Sequence, residues 1–567
     1  MNEYPHWPNL AAMMFGLSRS WSTQPMLRGW RDGAWHATTW GEFGRQAASV
    51  ARGLRAAGVA AGDRVLIASE NRPEYPILET ALMAIRAVPV PAYVTNTPAD
   101  HAHLLRDSGA RAAVVSSAEL ARPVAEAARH AGGLDLLVTM APFASADIRV
   151  LPWETLVHDR RPADDIAREA EGIAPGALAC LIYTSGTGGT PRGVMLSHRS
   201  LLSNCRGGFE LLRPLRLRNE IYLSFLPISH AYEHLVGQFL LPSMGTEIVY
   251  SRGIEHLAAD LLLVRPTILT AVPRVLEVIR GRILTQVERQ KPWQRALFAR
   301  ALNTGLRRLD GQASLADRLL DPILDRLVRR RVRARFGGRF RAAVSGGARL
   351  DPEVGRFFLA LGLLIMQGYG QTEAGPVISG NPPDGIRIDT VGRPLQGVEL
   401  RIADDGEILV RGEMVMDGYW NQPESTAVAL RGGWLHTGDV GTLDADGYLR
   451  ITDRKKDLIV LSGGENVSPA RIEGMLMNEP EIAQAVVFGE GRSGLAALVV
   501  PAEGYDDVGT ALAASRVNKR LAVHERIRRH ETVPPFTMEN GLLTPTQKIR
   551  RALVLRAHSP ILARMRA

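Results

Sequence analysis

The stretch Tyr183–Gly193, YTSGTGGTPRG, holds four glycines and four Ser/Thr hydroxyls in eleven residues, and an apolar run from Leu178 leads into it. Glycines let successive backbone N–H groups turn toward one point, and such a concavity suits phosphate oxygens. Gly186, Gly188 and Gly189 supply that freedom. Thr184, Ser185, Thr187 and Thr190 add hydroxyl donors, and Arg192 adds a fixed positive charge. A plain surface turn has the same composition. No Gly-Lys-Ser/Thr follows at Walker A spacing, so this is not a P-loop.

Three further polar islands interrupt apolar elements. Gly346, Gly347 and Ala348 would let a flat ring approach the backbone, or would form a simple strand-to-helix turn. Gly368–Glu373 places an aromatic face, a hydroxyl and a carboxylate within six residues. Tyr369 suits base stacking or core packing. Glu373 suits Mg2+ beside phosphates, or a helix-start charge. Trp434–Asp439 ends in a carboxylate able to accept two hydrogen bonds from a ribose diol, or in an ordinary turn aspartate.

These groups need elements to hold them. A chain of 567 residues exceeds one ordinary core, and roughly two to four domains are expected. Its 46% hydrophobic and 22% charged residues describe a soluble globular protein. Over the first 150 residues, helical and extended stretches alternate. Thr39–Glu42 opens a helix with Ala47, Val50, Ala51 and Leu54 on one face, and Asp63–Ser69, Val88–Tyr93 and Ala110–Ser116 read as strands. That alternation predicts a layered α/β fold. The apolar run Phe357–Met366 is too short to span a bilayer, and Gln367–Gly370 after it reads as the entry to a loop. From Val398 onward short strands and Gly/Asp turns dominate, and a small α+β domain is expected after a boundary near Asp453. The N-terminus lacks the basic-then-apolar pattern of a secretory signal. Two cysteines, Cys180 and Cys205, fit a reducing cytoplasm better than a disulfide scaffold or cysteine zinc site.

Charge is uneven. The net is +9, yet Arg280–Arg341 alone carries 17 Lys/Arg against 5 Asp/Glu. Residues 275–341 read as a basic helical segment, with Leu315, Leu319, Leu320, Ile323, Leu324, Leu327 and Val328 at helical spacing. Such a segment suits an anionic membrane, an acidic ligand or a solvated face. It lacks a nucleic-acid motif, and nucleic acid is not expected as a partner.

Taken in order, Tyr183–Gly193, Gly346–Ala348, Gly368–Glu373, Trp434–Asp439, Asp453–Arg454 and Leu543–Lys548 resemble the motifs of the AMP-forming acyl-CoA synthetases of the adenylate-forming superfamily. Thr39–Glu42 and Ser69–Glu74 extend the likeness to nearly the whole chain. The resemblance implies a large multi-subdomain α/β domain over 1–453 and a small mobile α+β domain over 454–567. It implies ATP, Mg2+ and coenzyme A: a carboxylate attacks the α-phosphate, pyrophosphate leaves, the small domain rotates, and the thiol displaces AMP. The Thr184–Gly193 loop would then grip the β- and γ-phosphates. Gly346, Gly347 and Ala348 would line the adenine pocket with Tyr369 against the ring, flanked by Gly368 and Gly370. Thr372 would contact the α-phosphate, Glu373 the metal, and Asp439 and Arg454 the ribose. Lys548 would approach the attacking carboxylate, where charge accumulates between two anions. His230 matches a position near the acyl carboxylate, and is otherwise a satisfied, partly buried histidine. Lys456 falls at the hinge, and Gly463 and Gly464 in the loop that would border the pantetheine tunnel. Two residues depart from the family pattern: Gly188 stands for Thr or Ser, and Arg192 for Lys.

About 70 residues separate Pro273 from Ser345. That length, much of it helical, resembles the long-chain fatty acyl-CoA synthetases and implies a fatty acid substrate. The alternatives are a fatty acyl-AMP ligase loading a carrier protein, and a synthetase for a medium-chain or aromatic acid. A long-chain acid partitions into membranes, so the basic segment is expected to touch an anionic membrane surface, with Arg329, Arg330, Arg331 and Arg333 as its contacts.

Overall fold

The computed structural model describes residues 3–184, 190–463, 465–544 and 549–565. The alternation in the first 150 residues builds a five-stranded, all-parallel sheet ordered Val88–Ala92, Arg64–Ala68, Ala112–Val115, Leu136–Thr139, Arg149–Pro152. Its inner strands are almost wholly apolar because helices cover both faces. Helix Trp40–Ala56 begins where expected. Thr39 caps it, and Glu42 reaches back to the Thr39 backbone in a capping box. Phe43, Ala47, Val50, Ala51 and Leu54 are buried along it.

A nine-stranded sheet carries the middle of the chain. Six adjacent strands run parallel: Ile365–Gly370, Ala342–Ser345, Ile268–Ala271, Ile221–Ser224, Glu247–Tyr250 and Pro25–Arg31. Two polar islands therefore emerge at the carboxyl ends of neighbouring strands, where open α/β sheets place ligands. One expectation fails here. Gln367–Gly370 does not open a loop but continues the strand, and Gly368–Gly370 pair antiparallel with Val377–Gly380. The fit is close: a Cβ on Gly370 would lie 1.8 Å from the Pro376 carbonyl oxygen.

Leu178–Thr184 and Arg192–Ser197 form an antiparallel hairpin, joined on its far edge by Gly418–Tyr419. Thr184 faces Arg192 across the hairpin. The glycine-rich connection between them, Ser185 to Gly189, lies outside the described residues.

The basic segment is helical, in Pro273–Glu288, Pro292–Leu309, Leu315–Leu324 and, after a wider turn at Asp325–Arg329, Arg330–Ala334. Its apolar stripe is not the buried face. Leu324 and Val328 are buried, but Leu315, Leu319 and Ile323 are 77%, 78% and 54% exposed. The helix Leu315–Leu324 docks instead through its acids. Asp317, buried, takes a two-pronged bond from Arg307, and Asp321 binds Arg308 and Arg329. Arg329 is itself buried and also donates to the Ala301 carbonyl at 3.0 Å. Arg333 pairs with Asp325 at 2.7 Å. Two of the four arginines expected at a membrane surface are thus internal ties.

After the four-stranded antiparallel sheet that ends in Leu449–Arg454, cores change ownership. Ile459 to Ile527 and Val486 to Met565 contribute two hydrophobic clusters with no member from earlier in the chain. Strands Ile482–Phe488, Leu495–Pro501 and Ile527–Thr532 and helices Pro469–Met477 and Asp507–Asn518 build this α+β unit. Among the described residues, no helix is long and apolar enough to cross a membrane.

Candidate active site

A cavity of about 1730 Å3 opens where the parallel strand ends, the hairpin and the α+β unit meet. Gly346, Gly347, Ala348, Gly368, Tyr369 and Gly370 line one wall. Thr184, Arg192, Thr372 and Glu373 line a second region, and Asp439, Arg454 and Lys456 a third. His230 also faces it. From the α+β unit come Leu543, Thr544 and Ile549, which flank Lys548 in sequence. Thr190 and Gly463 do not line it. Ser185, Gly186, Thr187, Gly188, Gly189, Gly464 and Lys548 lie outside the described residues.

Strand pairing fixes the first cluster. Asp439 and Arg454 are direct neighbours on antiparallel strands. Arg454 Nε reaches Asp439 Oδ1 at 3.0 Å, and the Tyr369 hydroxyl donates to Oδ2 at 2.6 Å. Burial, reinforced by the Asp439 charge, pushes the Tyr369 phenol well above its ordinary range, so it remains a donor. Each carboxylate oxygen has a second lone pair, which leaves Asp439 able to accept from a diol. Behind this cluster the wall is thin: a Cβ on Gly346 would come within 3.1 Å of the Tyr232 ring. Tyr232 in turn donates to the Val344 carbonyl at 3.0 Å.

His230 caps the short helix Ala231–Leu235, its Nδ1 accepting from the Tyr232 backbone at 3.3 Å. Asn71 clamps the loop that leads to it. The Asn71 amide donates to Ser224 Oγ at 2.9 Å and to the Leu226 carbonyl at 2.6 Å, and accepts from the Ile228 N–H at 3.0 Å. Ser224 passes the chain on to Glu233 at 2.6 Å, where Tyr222 and Thr270 also donate. Burial pushes the Glu233 carboxyl up to about 7, against the pull of these three hydroxyls. Beside this network Gly208, Leu211, Leu212, Val236, Leu240 and Leu395 give the cavity an apolar branch.

On the hairpin side, Tyr419 holds two expected residues. Its hydroxyl donates to Glu373 Oε1 at 2.8 Å, and Arg192 Cζ sits 4.1 Å from its ring centroid. Thr184 Oγ1, Ser345 Oγ and Gln371 Nε2 are buried on the cavity wall without a hydrogen bond among the described residues. Unmet polar groups at a cavity wall are what a polar ligand satisfies. Asn71, Gln371 and Tyr419 escaped sequence reasoning. Asn71 lies within a motif noted only for its likeness, and nothing local marks Tyr419 as adjacent to Glu373.

The model of the AMP-binding enzyme matches residues 17–420, and that of the AMP-binding enzyme C-terminal domain matches 456–564. The chain is 34% identical over 584 residues to the long-chain-fatty-acid–CoA ligase FadD15 of Mycobacterium tuberculosis, covering 96% of this chain and 95% of that one. It is 27% identical over 597 residues to the chloroplastic long-chain-fatty-acid–[acyl-carrier-protein] ligase AEE15 of Arabidopsis thaliana, covering 91% and 81%. Among solved structures, the anthranilate CoA ligase AuaEII in complex with anthranoyl-AMP shares the fold with a TM-score of 0.75 at 20% identity, covering 99% of each chain. A chain matched along this length, with its motifs gathered on one cavity, belongs to the AMP-binding enzymes of the adenylate-forming superfamily.

Proposed function

We propose that the protein is an ATP-dependent long-chain fatty acid–CoA ligase. A carboxylate oxygen of the acid attacks the α-phosphorus of ATP, and the bond to the β-phosphate breaks, releasing pyrophosphate. The coenzyme A sulfur then attacks the acyl carbon, its proton goes to solvent, and AMP departs. The observation that carries this reading is the convergence of the Tyr369–Asp439–Arg454 cluster, Glu373, Arg192 and the flanks of Lys548 on one cavity with an apolar branch. Likeness to FadD15 along almost its whole length supports a long-chain acid and coenzyme A as acceptor.

In this reading Asp439 and Arg454 hold the ribose, Tyr369 and Gly346–Ala348 the adenine, and Thr372 the α-phosphate. Thr184 to Gly193 take the terminal phosphates, and His230 borders the acyl carboxylate. Magnesium fits beside Glu373: Oε2 has no hydrogen bond among the described residues, and such sites use one or two carboxylates with substrate oxygens. The metal would neutralise phosphate charge there. The small domain, 454–567, turns about Lys456 to bring Gly463 and Gly464 to the site for the second half-reaction.

We further propose that the helix Leu315–Leu324 rests on an anionic membrane, from which the acid is collected. Leu315, Leu319 and Ile323 form an exposed apolar stripe, and Arg318, Arg326, Arg330 and Arg331 beside it are exposed and make no ion pair among the described residues. An apolar face edged with cations matches an interfacial helix, each cation contributing ~1 kcal/mol at such a surface. Replacing the three apolar residues by Glu should abolish sedimentation with phosphatidylglycerol vesicles. Unchanged sedimentation would refute the contact.

A carboxylate panel from acetate to long-chain and aromatic acids, with ATP, Mg2+ and coenzyme A and detection of AMP, tests the activity. Largest AMP release with long-chain acids, dependent on coenzyme A for the thioester, is expected. Lys548→Ala should abolish adenylate formation while the protein stays folded.

A further inference from the structure

We infer that Tyr419 is a positioning residue that sets the cation of the hairpin and the carboxylate of Glu373 at a fixed spacing, holding Arg192 on its ring face and Glu373 by its hydroxyl. Arg192 and Glu373 carry opposite charges into one cavity, yet among the described residues no ion pair joins them. Tyr419 touches both: the guanidinium carbon lies 4.1 Å from the ring centroid, and the hydroxyl donates to Oε1 at 2.8 Å. A cation at that distance from an aromatic ring is held by the ring's electron-rich face. Each oppositely charged group therefore has a neutral partner instead of the other, and both stay available to a ligand.

Tyr419 is itself well fixed. It is buried, its strand pairs with Val194 and Met195 just beyond Arg192, and its N–H donates to Thr426 Oγ1 at 2.9 Å. A second tie runs from the Met416 N–H to the Glu373 carbonyl at 2.9 Å. The arrangement also gives Arg192 a reason. A planar guanidinium stacks on a ring where an ammonium sits as a point charge, so lysine would not hold the same place.

The inference rests on the nucleotide reading above, and binding rather than turnover tests it. Thermal unfolding of the full chain is followed with ATP, first in EDTA and then along a Mg2+ titration, because a ligand of the folded state raises the midpoint by an amount that grows with the logarithm of its concentration over its Kd. Tyr419→Phe keeps the ring and frees Glu373. It should leave the response to ATP in EDTA intact and raise the Mg2+ concentration for half effect about tenfold, the loss of one charge-assisted hydrogen bond. Tyr419→Leu should weaken the response to ATP in EDTA as well. In a Glu373→Gln background, Tyr419→Phe should add nothing. The ligand-free midpoint separates loss of fold from loss of positioning. An unshifted Mg2+ midpoint in Tyr419→Phe, beside a normal wild-type response, overturns the inference alone. No ATP response in the wild type overturns the nucleotide reading and this inference together.

Discussion

Asn71 makes three hydrogen bonds with one amide, all to the segment that delivers His230 to the cavity. Asn71→Ala leaves a buried carbonyl and an N–H unpaired, at a cost of about 2 kcal/mol. A loosened loop should lower kcat/KM for the acid about tenfold and leave KM for ATP near wild type, measured by AMP release; equal losses for both substrates would contradict it. Glu233, further along the same network, gives a pH dependence. Its folded-state proton is held up to about pH 7 by burial, above the ordinary carboxylate range. The stability this contributes is complete below about pH 4 and is lost as the pH rises through about 7. Between about pH 5 and 8 the unfolding midpoint should therefore fall more in the wild type than in Glu233→Gln, and parallel slopes would refute the assignment. Neither residue was legible beforehand. A motif locates chemistry along the chain, whereas Asn71 and Glu233 act through partners some 150 and about 10 to 40 residues away.

Elements were easier to read than the faces they bury. The capping box at Thr39 and the apolar runs at Arg64–Ala68 and Ala112–Val115 are local signals, and each appears within a residue or two of its expected place. The strand Ile365–Gly370 is not legible in the sequence, where Gln367–Gly370 reads as the entry to a loop, because glycine weakens a strand pattern. There glycine is required by the Pro376 carbonyl at its shoulder. Gly370→Ala should shift that backbone and lower stability by about 1–3 kcal/mol, measured by denaturant unfolding. The basic helices show a different limit. Apolar spacing identified them correctly, but spacing is silent on whether a stripe meets a core or solvent, and here the acids face inward.

At the scale of the molecule, among the described residues no buried hydrophobic cluster joins the chain before Asp453 to the chain from Ile459 onward. Among the described residues, one polar tie between the parts is Asn478 to Asp351 at 2.6 Å. Leu543, Thr544 and Ile549 face the cavity here, and Gly463 does not. Under the proposed function, this arrangement suits the first half-reaction. Lys548→Ala should accordingly fail to form acyl-AMP from acid and ATP, yet convert supplied acyl-AMP and coenzyme A to thioester at a rate within about threefold of wild type. Loss of both halves would show that one arrangement serves both steps.

The inward-facing acids of Leu315–Leu324 carry one more consequence. A substitution scan along this helix should read in reverse. Changing Leu315, Leu319 or Ile323 to serine removes mainly solvent-exposed apolar surface and should make the purified protein less prone to self-association at high concentration. Changing Asp317 to leucine, which raises the hydrophobicity of the sequence, should instead strand Arg307 without its partner and loosen the helix from the rest of the fold. Design rules that treat exposed charge as safe and apolar spacing as core would rank these variants in the wrong order.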